Sequence, residues 1–403
     1  MSKHISSEPT PVATQLLNSI HSDDLLESIL SHVPLPDLVP ASHVSAPWKR
    51  CVSSSLRYIN PPKPWLVLHK QTTDRPPYYT SVHAYDPRSR VWYDITRAKE
   101  TDVDGDMYFS TLRSSSSRVL YMLSPSRFSL SLDDDPLHVA AWRHVEPPRM
   151  WRINPVVAVV GGRYVVVAGG TFDFEDDPLG VEVYDLVETK QWETSESMPW
   201  DFKGSASTWL SVAAGADHLY VAEKRSGVTY KFDPRSKEWL GPYTINRRHD
   251  DTNDSLCCCT IGFCGSRLMM VRMTRSDGQE RITGVELYEL DDRSLEIKRT
   301  VGEMMPREMV ERFECEASSA WSSVSVSFAG DSVYVVNCLA PKEVFFCEVG
   351  AWGFGEWGSV ENPLASKDNC SWLKERLVFT CSDVRLGDLT RAIVRDNCKF
   401  TVR

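Results

Sequence analysis

The sequence predicts a mainly β fold: a six-bladed β-propeller preceded by a small three-helix domain, with seven blades as the alternative count. Three observations lead there. From Trp65 onward, short runs rich in Val, Tyr, Phe and Trp alternate with Asp, Gly, Pro and Ser clusters, the mark of many short antiparallel strands. Trp92, Trp142 and Trp192 stand 50 residues apart, and Trp239 follows after 47. The first 60 residues instead carry apolar side chains at helical spacing. The expected boundaries are a helical domain at 16–60 and a propeller at 61–403.

Within the helical part, Ser22 suits an N-cap, and Asp23 and Asp24 place negative charge in the first turn, where the helix dipole favours it. Leu25, Leu26, Ile29, Leu30 and Val33 recur at helical spacing until Pro34 stops the run. A second helix is expected from about Pro36, with Leu35, Leu38 and Val39 apolar. A third segment carries Val44, Trp48, Cys51, Val52 and Leu56, and its helix is expected to start at Pro47 rather than run through it, since proline inside a helix removes a hydrogen bond. Pro61, Pro62 and Pro64 then read as a stiff linker that separates the helices from the β-rich remainder of the chain. Three short helices cannot by themselves bury Leu25, Leu26, Ile29, Leu30 and Leu38, which points to a partner surface; packing against the propeller is the plainer alternative.

The blades are read from two recurring elements. Tyr85-Asp86-Pro87-Arg88-Ser89 precedes Trp92, Phe232-Asp233-Pro234-Arg235-Ser236 precedes Trp239, and Tyr184-Asp185 precedes Trp192. Asp then Pro fits a type I turn, and the aromatics on either side are expected to pack the outer two strands of one sheet. Upstream of each turn lie two buried strands around a small turn, clearest from Val156 to Gly170, where Gly161-Gly162 makes the turn and Gly169-Gly170 closes the pair. Val212–Val221, Ile261–Val271 and Ser325–Val336 repeat it. The six blades centre on turns ending near Trp92, Trp142, Trp192, Trp239, Leu295 and Trp357. Blade one lacks a strand, and the strand-like Arg376–Cys381 is expected to supply it and close the ring.

Composition narrows the functions. The net charge is −10 with no basic block, which argues against nucleic acid as a partner. Apolar runs such as Val156–Val160 are far below the ~20 residues of a membrane helix, and Met1 to Gln15 has no signal-peptide core, so a soluble, intracellular protein is expected, cytoplasmic and nuclear. The scattered cysteines read as reduced and mostly buried. Cys257-Cys258-Cys259 and Cys264 raise zinc, but consecutive thiols on a strand point to alternate faces and cannot share one tetrahedral ion easily. Asp102-Val103-Asp104-Gly105-Asp106 opens like a calcium loop, yet its twelfth position is Arg113, not glutamate. That segment, Asp133-Asp134-Asp135, Glu175-Asp176-Asp177 and Asp250-Asp251 read as solvated loops. Neither a nucleophile elbow nor a phosphate loop occurs; no catalytic residue, metal or cofactor is expected.

The repeats resemble kelch repeats, with their Gly-Gly doublet, then Tyr-Asp, then Trp, and the stretch from Ser22 to Leu38, followed by Val44-Ser45 and Trp48, resembles an F-box. Together they resemble plant F-box/kelch-repeat proteins, so a kelch-type propeller is implied. Asp24–Pro34, Trp151–Val160, Ser207–Ala213 and Glu223–Thr229 look like the subgroup that targets chalcone synthase, related to members that target phenylalanine ammonia-lyase. The resemblance implies a non-catalytic adaptor of a ubiquitin ligase. Leu25, Leu26, Ile29, Leu30, Val33, Pro34, Leu38, Val44 and Trp48 would bind a Skp1-like protein, itself joined to a cullin, while the propeller captures a phenylpropanoid or flavonoid enzyme for ubiquitination and degradation. A propeller scaffold or propeller enzyme with purely structural N-terminal helices is the other class left open. Kelch propellers gather the loops between blades, and those between second and third strands, at one end. There the candidate substrate-binding residues are Trp151, Arg152, Phe172, Phe174, Trp200, Arg225, Arg247 and Arg275, residue types that dominate interface hot spots.

Overall fold

The computed structural model describes residues 22–72, 74, 78–97, 110–131, 137, 142–170, 177–205, 207–245, 254–276, 278–350, 355–365 and 375–403. Helix α1 spans Ser22–Leu30, α2 Leu35–Ala41 and α3 Ala46–Ser54, the last running into a wider π turn at Ser55–Ile59. Pro36 and Pro47 sit in the first turns of α2 and α3, where a missing N–H costs nothing. Ser45, not Pro47, caps α3, its hydroxyl accepting the Trp48 N–H at 3.3 Å. Val44 therefore precedes the third helix instead of riding on it.

Among the described residues, six antiparallel sheets come after the helices, which is the six-bladed count. Blade two holds β4 (Leu112–Ser116), β5 (Val119–Ser124), β6 (Arg127–Ser131) and β7 (Trp142–Val145). Blade three holds β8 (Val156–Val160), β9 (Tyr164–Ala168), β10 (Val181–Asp185) and β11 (Trp192–Ser195). Blade four holds β12 (Leu210–Ala214), β13 (Leu219–Glu223), β14 (Val228–Asp233) and β15 (Glu238–Thr244). Blade five holds β16 (Asp254–Cys264), β17 (Arg267–Ser276), β18 (Gly284–Leu290) and β19 (Ile297–Thr300), and blade six β20 (Val324–Ala329), β21 (Ser332–Asn337), β22 (Glu343–Val349) and β23 (Gly355–Glu361). Between them the chain forms α4 (Arg307–Phe313) and α5 (Ala320–Ser323).

Blade one is assembled from both parts of the chain. Its β1 (Trp65–Thr72), β2 (Thr80–Asp86) and β3 (Val91–Arg97) are completed by β24 (Glu375–Ser382) on the inside and β25 (Cys398–Val402) on the outside. Val67 pairs with Thr380, and the register runs unbroken from Trp65–Ser382 to Thr72–Glu375. The expected closing strand is thus β24, and β25 adds a fifth. The inner strands β24, β4, β8, β12, β16 and β20 each touch the next, and β20 touches β24, closing the ring.

The repeated turn has one mechanism in blades one, three, four and five. Asp86, Asp185, Asp233 and Asp291 each accept the backbone N–H two residues on, at 2.8–3.0 Å. Arg90, Lys190, Lys237 and Leu295 then take left-handed φ values of 50–64°. Two residues later comes the tryptophan, or Ile297 in blade five. Tyr85–Trp92, Tyr184–Trp192 and Phe232–Trp239 face each other across paired strands, with ring centroids 4.9–5.4 Å apart. The indole also reaches backwards. Trp92, Trp192, Trp239 and Trp357 donate Nε1–H to the carbonyls of Glu361, Glu146, Glu196 and Glu303, each at or just past the end of the preceding blade. Near the axis, Ile261 N–H donates to Ser211 Oγ and Phe328 N–H to Ser117 Oγ, both at 2.8 Å. Gly161 has φ 58°, and a Cβ there would stand 2.5 Å from the Ala216 carbonyl oxygen, so only glycine fits this approach of two blades.

Deleting residues 375–403 should therefore unfold the whole propeller, not one blade, as a circular-dichroism melt will show. A truncated chain with the parent's melting curve would contradict this closure. Trp192→Phe keeps the ring and removes the N–H to Glu146; a loss of about 1 kcal/mol is expected from denaturant titration.

Candidate functional site

Strand direction sorts the surface into two ends. The turns within β8–β9 and β10–β11 share one end; the β9–β10 loop and the crossing from β11 to β12 share the other. In blade one, the start of β1 and the β2–β3 turn lie at the turn end, so the helical domain, entering through residues 60–64, sits there.

It is docked, not separated. Leu30, Leu35, Leu38, Val39, Cys51 and Val52 share one buried cluster with Trp65, Val67, Tyr93, Ile95 and Leu389 of the propeller. Leu38 is 0% exposed, so it and Leu30 are no free surface for a partner; the proline-rich linker does not hold the helices away. Helix α2 also packs on α6 (Leu386–Thr390), which follows β24. Leu26, Val33, Pro34 and Trp48 are half-buried. Leu25 at 59%, Ile29 at 55% and Val44 remain exposed, Leu25 and Ile29 one turn apart on α1. The outward apolar set is therefore smaller than the sequence suggested, and it includes Tyr58 and Ile59, which the periodicity did not single out.

Sequence reasoning also missed Arg88, in the β2–β3 turn. Its Nη1 donates to the Val33 carbonyl at 2.5 Å, Nη2 to Ser31 at 2.8 Å and Leu30 at 3.3 Å, and Nε to Asn60 at 3.0 Å. They cluster where α1 and the π turn end and helical partners run out, although the Leu30 carbonyl also accepts the Val33 N–H at 3.2 Å. Asp-Pro-Arg-Ser recurs at Asp233–Ser236, where Arg235 pairs with Asp217 on the open surface, so no sequence signal separates the two arginines.

At the loop end, Trp200 is 71% exposed, with the Lys203 ammonium 3.9 Å from its ring centroid. Trp151, Arg225 and Arg275 are exposed as expected, and Tyr79 and Leu339 join them on the loops of blades one and six. Trp209, before β12, meets Trp321 of α5 edge-to-face at 4.7 Å, and α5 contacts β16. Arg152 does not belong to this surface. It is 1% exposed, donating to the Gly169 and Gly180 carbonyls at 2.7 Å and pairing with Glu182 at 3.1 Å. Glu182 also accepts the Arg149 and Met150 N–H groups. The pair is an internal clasp that fastens the strap between blades two and three; a buried charge survives because its partners surround it. Phe172, Phe174 and Arg247 lie outside the described residues, as do the loops at 102–106, 133–135, 175–176 and 250–251.

The channel mouth at the turn end is a cavity of about 840 Å³ lined by Ser117, Arg118, Gly161, Asp217, His218 and Phe263, among others. Arg118 faces Asp383 at 3.7 Å and Asp217 is held by Arg235 at 3.2 Å. Cys257, Cys258 and Cys259 are buried, the last two in different core clusters. Burial pushes the Cys258 thiol up to about 11, which keeps it protonated at neutral pH. Among the described residues, no group of three or more His, Cys, Asp or Glu side chains could hold a metal ion.

Residues 19–60 match the family model of the F-box domain. An F-box/kelch-repeat protein of Arabidopsis thaliana is 38% identical over 390 residues, 94% of this chain and 93% of that protein. Another F-box/kelch-repeat protein of that plant is 36% identical over 96 residues, 22% of each chain. A helical domain that matches the F-box, seated on the turn end of a six-bladed ring, and a relative aligned over nearly all of both chains place this chain among the F-box/kelch-repeat proteins.

Proposed function

We propose that the chain is the substrate-recruiting, non-catalytic adaptor of a ubiquitin ligase of the Skp1–cullin–F-box type. The observation that carries this reading is the division of the surface: the F-box occupies one end of the propeller, and exposed tryptophans and arginines gather at the other. A Skp1-like protein on Leu25, Ile29 and Val44, and the cullin bound through it, leave the loop end clear for a client. The client proposed is a phenylpropanoid or flavonoid enzyme, chalcone synthase first and phenylalanine ammonia-lyase second, on the resemblance of the segments around Trp151, Ser207 and Glu223.

Leu25→Asp with Ile29→Asp should weaken binding of a Skp1-like protein more than tenfold, since each aliphatic side chain is worth about 1.5–3 kcal/mol when buried. The melting curve should stay unchanged because both are exposed in the free chain. Leu38→Asp should instead destabilise the junction itself, which the same melt reports. Unaltered co-precipitation by the folded double variant overturns the F-box surface.

For the other end, Trp151→Ala with Trp200→Ala should lower capture of chalcone synthase about thirtyfold, the usual weight of one interface hot spot. The Skp1-like partner should be retained. Calorimetry with the purified enzyme decides: equal affinity for parent and variant moves the docking surface elsewhere, and no binding by the parent removes this client.

A further inference from the structure

We infer that Arg88 is a positioning residue for ubiquitin transfer: it fixes the angle at which the F-box is held on the propeller, and with it where a captured client is presented. The inference rests on the adaptor reading above. The apolar seam between Leu30, Leu38, Trp65 and Tyr93 supplies adhesion, but apolar contact is non-directional and tolerates sliding and rotation. Arg88 supplies direction. One planar fork gathers Leu30, Ser31 and Val33 at the end of α1 and Asn60 at the end of the third helix's π turn, two separate points of the F-box. The fork's own base is fixed, because the buried Asp86 carboxylate accepts the Arg88 N–H at 2.9 Å and the Ser89 hydroxyl at 2.7 Å. The Asn60 side chain joins the same knot, donating to the Ser31 carbonyl at 2.9 Å. Arg235, in the same four-residue motif of blade four, pairs instead with Asp217 and provides a matched control within the molecule.

The test uses the full chain bound to a Skp1-like protein, comparing the parent with Arg88→Ala, Arg88→Lys and Arg235→Ala. Three readouts are taken: melting of the propeller, the small-angle X-ray scattering profile, and the set of propeller lysines modified when the assembled ligase ubiquitinates its own adaptor. The parent should modify a restricted set. Arg88→Ala should broaden the scattering pair-distance distribution, spread modification over more lysines and slow it about tenfold, as small misplacements of reacting groups do. Its affinity for the Skp1-like protein should not change. Arg88→Lys should resemble the alanine variant, because an ammonium cannot reach both points at once, and Arg235→Ala should resemble the parent. A folded Arg88→Ala chain with the parent's scattering and lysine pattern overturns the inference. If Arg88→Ala does not fold, Arg88→Lys decides: a restored fold with a scattered lysine pattern supports the role, and restoration of both overturns it. If the parent itself modifies nothing, the adaptor reading fails, while the scattering comparison still decides whether Arg88 sets the angle.

Discussion

The pairing of β24 with β1 is the constraint on which the rest depends. It joins residues as far apart as Val67 and Thr380, 313 positions along the chain, through a register without a bulge. A propeller has no central core; each blade is stable because its faces are covered by the neighbours on both sides. Removing one inner strand uncovers blades six and two together. Blade one also carries Trp65, Tyr93 and Arg88, the groups that hold the F-box, and α6, which buttresses α2, follows directly from β24. One strand pairing thus underlies both the ring and the seat of the helical domain.

The sequence period is the imprint of contacts between blades as much as within them. Trp92, Trp192 and Trp239 each pack on an aromatic of their own blade and donate the indole N–H to the exit of the blade before. That double task explains why a tryptophan stands two residues after the left-handed residue of the turn in blades one, three and four. Blade five has Ile297 at that position and no indole to donate; there the left-handed Leu295 and the Asp291 turn preserve the backbone path alone.

What was legible came from chemistry confined to a few neighbouring residues. Asp-Pro turns, the Gly161-Gly162 turn and the tryptophan spacing are local and located the six sheets, while the strand-like run Arg376–Cys381 gave the strand missing from blade one. Burial at long range was not legible. Arg152 has the composition of a binding loop around it, yet Glu182, thirty residues on, turns it inward. Leu30 and Leu38 carry the same helical periodicity as Leu25 and Ile29; only the location of the propeller surface decides which pair is covered. Arg88 and Arg235 differ in nothing that a reader of four residues could see.

Because blade one draws its strands from opposite parts of the chain, order of synthesis and order of assembly diverge. The F-box helices and β1 to β3 leave the ribosome first, but β24 is made some three hundred residues later. Until then five complete sheets wait beside an unfinished one, with the inner edge of β1 open to any extended segment that meets it. A nascent chain in that state carries its F-box helices before the blade that seats them is complete. Productive folding is therefore a race between arrival of the last strands and capture of an open edge, one that chaperones able to shield sheet edges would tilt toward closure.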